Sequence, residues 1–185
     1  MNEKIALRIA KPEDGPVLAE IYKPYVTDTS ITFDYEPVSG EEFSKRIENT
    51  LKRYPYLVAE QNGEVIGYAY ASAFKGRAAY DWSVETSIYV RMDRHGQGVG
   101  KALYTALEQA LAAQRVLNVN ACITYPNPGS VAFHEKFGYT MAAHFHQCGY
   151  KLGKWYDVIW MEKMLGEHDD PPAAFIPFEK LIKKE

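Results

Sequence analysis

Only two of the 185 residues are cysteine, Cys122 and Cys148, too few for a disulfide framework and not spaced as metal ligands. An excess of one charge is also lacking. The formal net charge is −3, so the charge balance favours neither nucleic acid nor an anionic membrane. No apolar run approaches a membrane span, and Met1-Asn2-Glu3-Lys4-Ile5 carries no apolar leader core, so a cytoplasmic protein is expected. There is no internal repeat. The five histidines (His95, His134, His144, His146 and His168) form neither an H-x-x-x-H nor an H-E-x-x-H set. His144 and His146 share a strand face but have no third ligand nearby in sequence, so no metal is expected. What the chain does have is rings, 14 Tyr and 3 Trp, most of them expected in the core and some around a pocket. With 46% hydrophobic and 24% charged residues it reads as an ordinary globular domain.

Periodicity divides the chain into alternating elements. Ile5 to Ile9 reads as a strand, and Lys11-Pro12-Glu13-Asp14 starts a helix whose stripe is Val17, Leu18, Ile21 and Tyr22. Residues 27–37 lack helical spacing and are expected as a loop. Ser39-Gly40-Glu41-Glu42 is a capping box opening a helix through Phe43, Ile47 and Leu51. Two strands flank Asn62-Gly63, a strong hairpin signal, and a polar loop from Phe74 to Tyr80 leads to a strand ending at Val90. Val99, Leu103, Leu107 and Leu111 form one face of the next helix. A strand over 116–123, a short helix over 130–137 stopped by Gly138, and a closing hairpin around Leu152-Gly153-Lys154 complete the order. The fold class is α/β, an α+β mixed sheet with helices on its faces. The domain is expected over 1–165. Residues 166–185 form a C-terminal tail, with a linker around Pro171-Pro172 and a short element that packs on the domain or faces a dimer partner.

The densest chemical signal is Asp93-Arg94-His95-Gly96-Gln97-Gly98-Val99-Gly100-Lys101, between the strand ending at Val90 and a helix. Strand, glycine turn and helix start make an anion cradle, because free N–H groups and the helix dipole meet where glycine lets a phosphate approach. The absence of Lys-Ser/Thr after the glycines argues against an ATP-type P-loop. Glu85 lies in an otherwise apolar and aromatic strand beside this turn. It is either a general base for a substrate proton or a solvated strand-face carboxylate.

With its element order, this glycine turn and the later Asn127-Pro128-Gly129-Ser130…His134-Glu135-Lys136-Phe137-Gly138-Tyr139, the chain resembles the GNAT superfamily of acetyl-CoA-dependent N-acyltransferases. Tyr80-Asp81-Trp82-Ser83-Val84-Glu85-Thr86-Ser87-Ile88-Tyr89-Val90 and Gly149-Tyr150-Lys151…Gly153-Lys154-Trp155-Tyr156-Asp157-Val158 narrow the resemblance to the phosphinothricin / methionine sulfoximine N-acetyltransferase subgroup. The resemblance spans residues 5–164. It implies a GNAT-like fold with a central mixed sheet of about seven strands flanked by four helices and a short C-terminal extension. It also implies acetyl-CoA as cosubstrate and a homodimer.

The same resemblance assigns the site. Glu85 is the catalytic base and His134 stands where a tyrosine often flanks the CoA sulfur, as a candidate acid for the departing thiolate. Ile88, Tyr89 and Val90 carry the pantetheine arm and oxyanion donors. His95, Gly96, Gln97, Gly98, Val99, Gly100 and Lys101 cradle the pyrophosphate, with Asn127 and Ser130 as further CoA contacts. His95 takes the first position of the Arg/Gln-x-x-Gly-x-Gly/Ala pattern, with Arg94 one residue early. Lys75, Gly76 and Arg77 form the loop for an acceptor's carboxylate or phosphinate, since an arginine fork binds either in two-point fashion. Phe33, Tyr35, Tyr80 and Trp82 wall the pocket, and Thr86 and Ser87 contact the acceptor. Lys151 and Trp155 either approach from across a dimer interface or lie exposed on the turn. Cys122 has no evident base partner, so direct attack is expected rather than an acyl-enzyme. The expected acceptors are methionine sulfoximine, methionine sulfone and phosphinothricin. The alternatives are a polyamine, an aminoglycoside, a protein N-terminus, or a non-catalytic acyl-CoA-binding module.

Overall fold

The computed structural model describes residues 4–183. Among them seven strands form one sheet in the order β1-β2-β3-β4-β5-β7-β6. The strands are β1 (Ala6–Ile9), β2 (Tyr56–Gln61), β3 (Glu64–Ala73), β4 (Ser83–Val90), β5 (Asn118–Tyr125), β6 (Thr140–Lys151) and β7 (Lys154–Met164). Every neighbouring pair is antiparallel except β4–β5, which is parallel. That exception follows from the helix joining the two strands, α3 (Val99–Ala113), because a parallel pair needs a crossover connection.

Two cores lie on opposite faces of the sheet. On one, Leu103, Leu107 and Leu111 of α3 pack against Val84, Val119 and Ile159. On the other, α1 (Gly15–Asp28) and α2 (Gly40–Leu51) bury Leu18, Val26 and Ile47 over Tyr56, Val58 and Tyr68. Strand alternation sorts β4 between them. Val84 and Val90 belong to the α3 core, while the ring of Tyr89 packs on the tyrosines of the other face.

Several expectations change in detail. The first helix runs to Asp28, so Thr27 and Asp28 are helical and the loop begins at Thr29; Pro24 is carried inside the helix. Only half of the capping box forms: Ser39 Oγ accepts from the Glu42 N–H at 3.2 Å, while the Glu42 carboxylate pairs with Arg46 one turn on. Beyond the short helix α4 (Pro128–Lys136), the tail adds a fifth helix, α5 (Phe178–Ile182), where four were expected. The tail packs on the body of its own chain. Trp82 Nε1 donates to the Ala173 carbonyl at 2.7 Å, Gln114 Nε2 donates to the Arg53 and Ile176 carbonyls, and Phe178 is buried.

Candidate active site

β4 and β5 pair over only three positions, Ser83↔Asn118, Val84↔Val119 and Glu85↔Asn120, and then diverge. Beyond Glu85 the facing edges enclose a cleft of about 70 Å³, lined by Thr86 to Tyr89 on one side and Ala121 to Thr124 on the other. Asn127, Ser130 and His134 close its α4 end. A sheet opened in its middle presents backbone donors and acceptors that an extended guest chain can use.

At the far end of β4 the chain turns through Arg91 to Gly98 into α3. Gly98 is the N-cap of this 15-residue helix, at φ +86°, with no side-chain cap and no acidic residue in the first turn. Gly96 adopts φ +75°, and neither glycine has any atom within reach of an added Cβ. Open space, left-handed backbone and free N–H groups make an anion cradle that a phosphate fits.

The family model for the acetyltransferase (GNAT) domain matches residues 7–160. The chain belongs to the GNAT acetyltransferase family. It is 39% identical over 177 residues to a phosphinothricin N-acetyltransferase of Streptomyces viridochromogenes, covering 96% of each chain. A second relative is an L-methionine sulfoximine/L-methionine sulfone acetyltransferase of Salmonella typhimurium, 32% identical over 172 residues, with 92% of this chain and all of that one covered. Among solved structures, a GNAT phosphinothricin acetyltransferase of Sinorhizobium meliloti in complex with acetyl-CoA superimposes with a TM-score of 0.84 at 37% identity, over 88% of this chain and 89% of that chain. As a GNAT acetyltransferase this chain draws its acetyl group from acetyl-CoA.

Within the GNAT domain, Glu85 sits at the last position of β4 that pairs with β5, where the sheet begins to open. Burial pushes its carboxyl pKa above the usual glutamate value, and the positive charge of Lys75 pulls the other way. Lys75, rather than Arg77, is thus the loop cation whose field reaches Glu85; Arg77 is exposed at the start of a 3-10 turn (Ala78–Tyr80), and Gly76 is exposed between them. Cys122 lines the same cleft, and burial with the nearby Glu85 charge pushes its thiol up to about 11. It is therefore a poor thiolate at neutral pH.

His134 is 4% exposed and fully engaged. Its Nδ1–H donates to the Ser130 carbonyl at 2.8 Å, so Nε2 is the acceptor for the Tyr104 hydroxyl at 2.9 Å. Burial lowers its pKa below 6.5, so the ring is neutral at neutral pH. Tyr104 in turn meets Thr86 Oγ1 at 3.0 Å, which holds the Thr86 side chain on the α3 side of β4. Asn127 caps α4 through Ser130 N–H at 3.1 Å, and both residues remain on the cleft wall.

His95 departs from its expected place. Its Nε2 lies 2.8 Å from the Tyr25 hydroxyl and 3.1 Å from the Val90 carbonyl, so the ring anchors the end of β4 and leaves the cradle to the backbone. Gln97 donates to the Asp93 carbonyl, and Lys101 is exposed on the first turn of α3. Gly100 serves packing: a Cβ there would lie 3.2 Å from the Phe133 ring.

The acceptor side also rearranges the expected wall. Trp82 faces the tail instead, and Tyr35 bonds through its hydroxyl to the Tyr150 carbonyl. Phe33 lies against Gly149 so closely that a Cβ there would sit 2.3 Å from its ring. Lys151 is not exposed on the turn. It is 2% exposed, and its Nζ donates to the Thr32 carbonyl of the same chain at 2.7 Å. The loop over 29–37 is thereby tied to the β6–β7 hairpin.

A feature that the strand pattern did not reveal is a groove of about 390 Å³ between α2 and the sheet, walled by Tyr22, Tyr56, Tyr68, Tyr70 and Tyr89. Tyr89 lines both this groove and the cleft, and Tyr70 bonds Ser87 two residues from Glu85. Their clustering follows from strand alternation across three neighbouring strands: Tyr56 is paired with Tyr70, and Tyr68 with Tyr89.

Proposed function

We propose that this acetyltransferase moves acetyl from acetyl-CoA to the α-amino group of a small amino-acid analogue, with phosphinothricin, methionine sulfoximine and methionine sulfone as the acceptor class. The observation that carries the proposal is the placement of three functions along one strand. Glu85 stands where β4 leaves β5, the free edge from Ile88 to Val90 follows, and the α3 cradle comes next. Glu85 and Val90 are about 16 Å apart along the strand, so proton removal, thioester binding and pyrophosphate binding are spatially separated. The names of the relatives support the acceptor class.

Glu85, directly or through one water, takes a proton from the acceptor's ammonium and frees the nitrogen lone pair. That nitrogen attacks the thioester carbonyl carbon, and backbone N–H groups of β4 near Val90 stabilise the oxyanion. The C–N bond forms and the C–S bond breaks with its electron pair on sulfur, while the nitrogen's remaining extra proton passes to the thiolate or solvent. The raised Cys122 pKa supports direct attack over an acyl-enzyme. His134 has its only ring proton committed to the Ser130 carbonyl, so we assign it to positioning Tyr104 and α4 rather than to acid catalysis. Lys75 and Arg77 supply positive charge for the acceptor's carboxylate or phosphinate, and Phe33, Tyr80 and the Ser87 edge border it. A cytoplasmic homodimer completes the proposal on the family resemblance.

Thiol release from acetyl-CoA tests it, with a panel of phosphinothricin, methionine sulfoximine, methionine sulfone, spermidine, an aminoglycoside and a short peptide. Turnover confined to the amino-acid analogues and weakened in Arg77→Ala supports the reading. Turnover only with a polyamine, an aminoglycoside or the peptide overturns the acceptor class.

A further inference from the structure

Away from the acetyl-transfer site, the β6–β7 hairpin gathers three metal-ligating side chains. β6 is bulged between Phe145 and Gly149, and Asp157 of β7 lies opposite that bulge. Asp157 Oδ2 is 2.8 Å from His144 Nε2 and 3.2 Å from His146 Nδ1, and the three atoms all lie within 4.8 Å of one another. The other carboxylate oxygen is used separately: Oδ1 accepts the Gln147 backbone N–H at 2.8 Å, which aims Oδ2 at the two rings. The rings are 4.3 Å apart, and His144 also packs on Tyr125 with centroids 5.1 Å apart. The sequence offered two histidines without a partner; the hairpin register supplies the third group from 11 and 13 residues away.

We propose that His144, His146 and Asp157 bind a divalent transition metal of the zinc class, with the remaining coordination position open to water. Ligands sharing a tetrahedral zinc at about 2.0–2.1 Å stand about 3.3 Å apart, close to the two spacings measured from Oδ2. Two imidazoles and one carboxylate favour zinc and its first-row neighbours over magnesium or calcium, which take oxygen shells. Both histidines now donate a ring proton to the carboxylate. For each imidazole to ligate through the nitrogen that now faces Oδ2, its proton moves by exchange with solvent to the other ring nitrogen, and Asp157 stays as the anionic ligand. The Gln147 N–H acts as the outer-shell donor that fixes the carboxylate. The His146 side chain is 76% exposed, so an ion enters from solvent without opening the fold. The bound ion would clip β6 to β7 at the bulge, beside Gly149 on which Phe33 rests. None of the three ligands lines the β4–β5 cleft or belongs to the α3 cradle.

The test uses the full, tag-free chain stripped with chelator and titrated with Zn²⁺ by calorimetry, with Co²⁺ absorption as a second readout of coordination. One ion per chain is expected, lost in His144→Ala/His146→Ala and retained in His168→Ala. Loss in His146→Ala alone, with acetyl-CoA binding unchanged, separates loss of a ligand from loss of the fold. Failure to bind the ion, or stoichiometry that survives the double substitution, overturns the proposal.

Discussion

Replacing Lys151 with methionine should loosen the acceptor side of the enzyme and leave the acetyl-CoA side intact. The Nζ–Thr32 bond is 2.7 Å long and lies almost out of solvent, and the Asp34 carboxylate favours the charged form. A hydrogen bond from a charged donor contributes about 1.5–3 kcal/mol. Burial opposes it, and as the largest influence holds the Lys151 pKa below 10.5. The charged lysine therefore costs stability at lower pH, and that cost is relieved as pH rises from the lowered folded value toward 10.5. Methionine keeps most of the stem and removes both the bond and the desolvation cost. The net loss at neutral pH should be about 1–2 kcal/mol, because removing the desolvation cost offsets part of the lost bond. For a domain of this size that lowers Tm by about 2–8 °C. Because the bond ties the 29–37 loop to the hairpin, KM for the acceptor should rise several-fold while KM for acetyl-CoA stays unchanged. Thermal melts and steady-state kinetics with each substrate varied in turn would read both effects. An unchanged Tm, or a rise confined to the acetyl-CoA KM, would refute the reasoning.

Gly98→Ala forces a left-handed position on an L side chain, at a cost of about 1–2 kcal/mol. It should raise KM for acetyl-CoA and spare the acceptor KM, as measured by kinetics at saturating second substrate. His134→Gln should keep kcat within about tenfold, since general acid catalysis would be worth about 10²–10⁴. Its pKa is lowered in the fold, so the stability it supports is full above pH 6.5 and is lost as pH falls toward the lowered value. Urea melts of His134→Gln should therefore lose part of the wild-type decline below pH 6.5. Deleting residues 174–185 removes the buried Phe178 ring, a loss of about 1.5–3 kcal/mol, together with the half-buried Phe175 ring that packs on Tyr54. The truncated chain should melt several degrees lower, and an unaltered melt would show that the tail is dispensable.

Local signals with short range were legible in the chain. The Asn62-Gly63 turn, the α3 stripe and the glycine turn after Val90 each depend on residues within one element, and each stands where the pattern puts it. Long-range partners were not legible. Lys151 reads as a turn lysine because Thr32 is 119 residues away, and Asp157 is invisible as a third ligand until β6 and β7 are in register. His95 occupies a motif position, yet its ring follows the Val90 carbonyl five residues back and the hydroxyl of Tyr25, which only the docking of α1 on the sheet brings near. The tyrosine groove is hidden for the same reason, since β2, β3, β4 and two helices each contribute to its wall. Glu85 obeys the alternation of β4, sharing a face with Ser83 and Ser87, so the strand pattern alone does not single it out; its proposed role rests on the resemblance and on its place where β4 leaves β5.

The most direct test of the account compares Glu85→Gln with the wild type in acetyl-CoA binding and in turnover across pH. The account predicts unchanged acetyl-CoA affinity and kcat lower by about 10²–10⁴. It also predicts that the wild-type kcat/KM falls on acidification, with a limb contributed by Glu85 above its ordinary pKa because burial raises it, and that Glu85→Gln lacks that limb. Turnover within a few-fold of wild type, or an acid limb that survives the substitution, would contradict the assignment of Glu85 as the base.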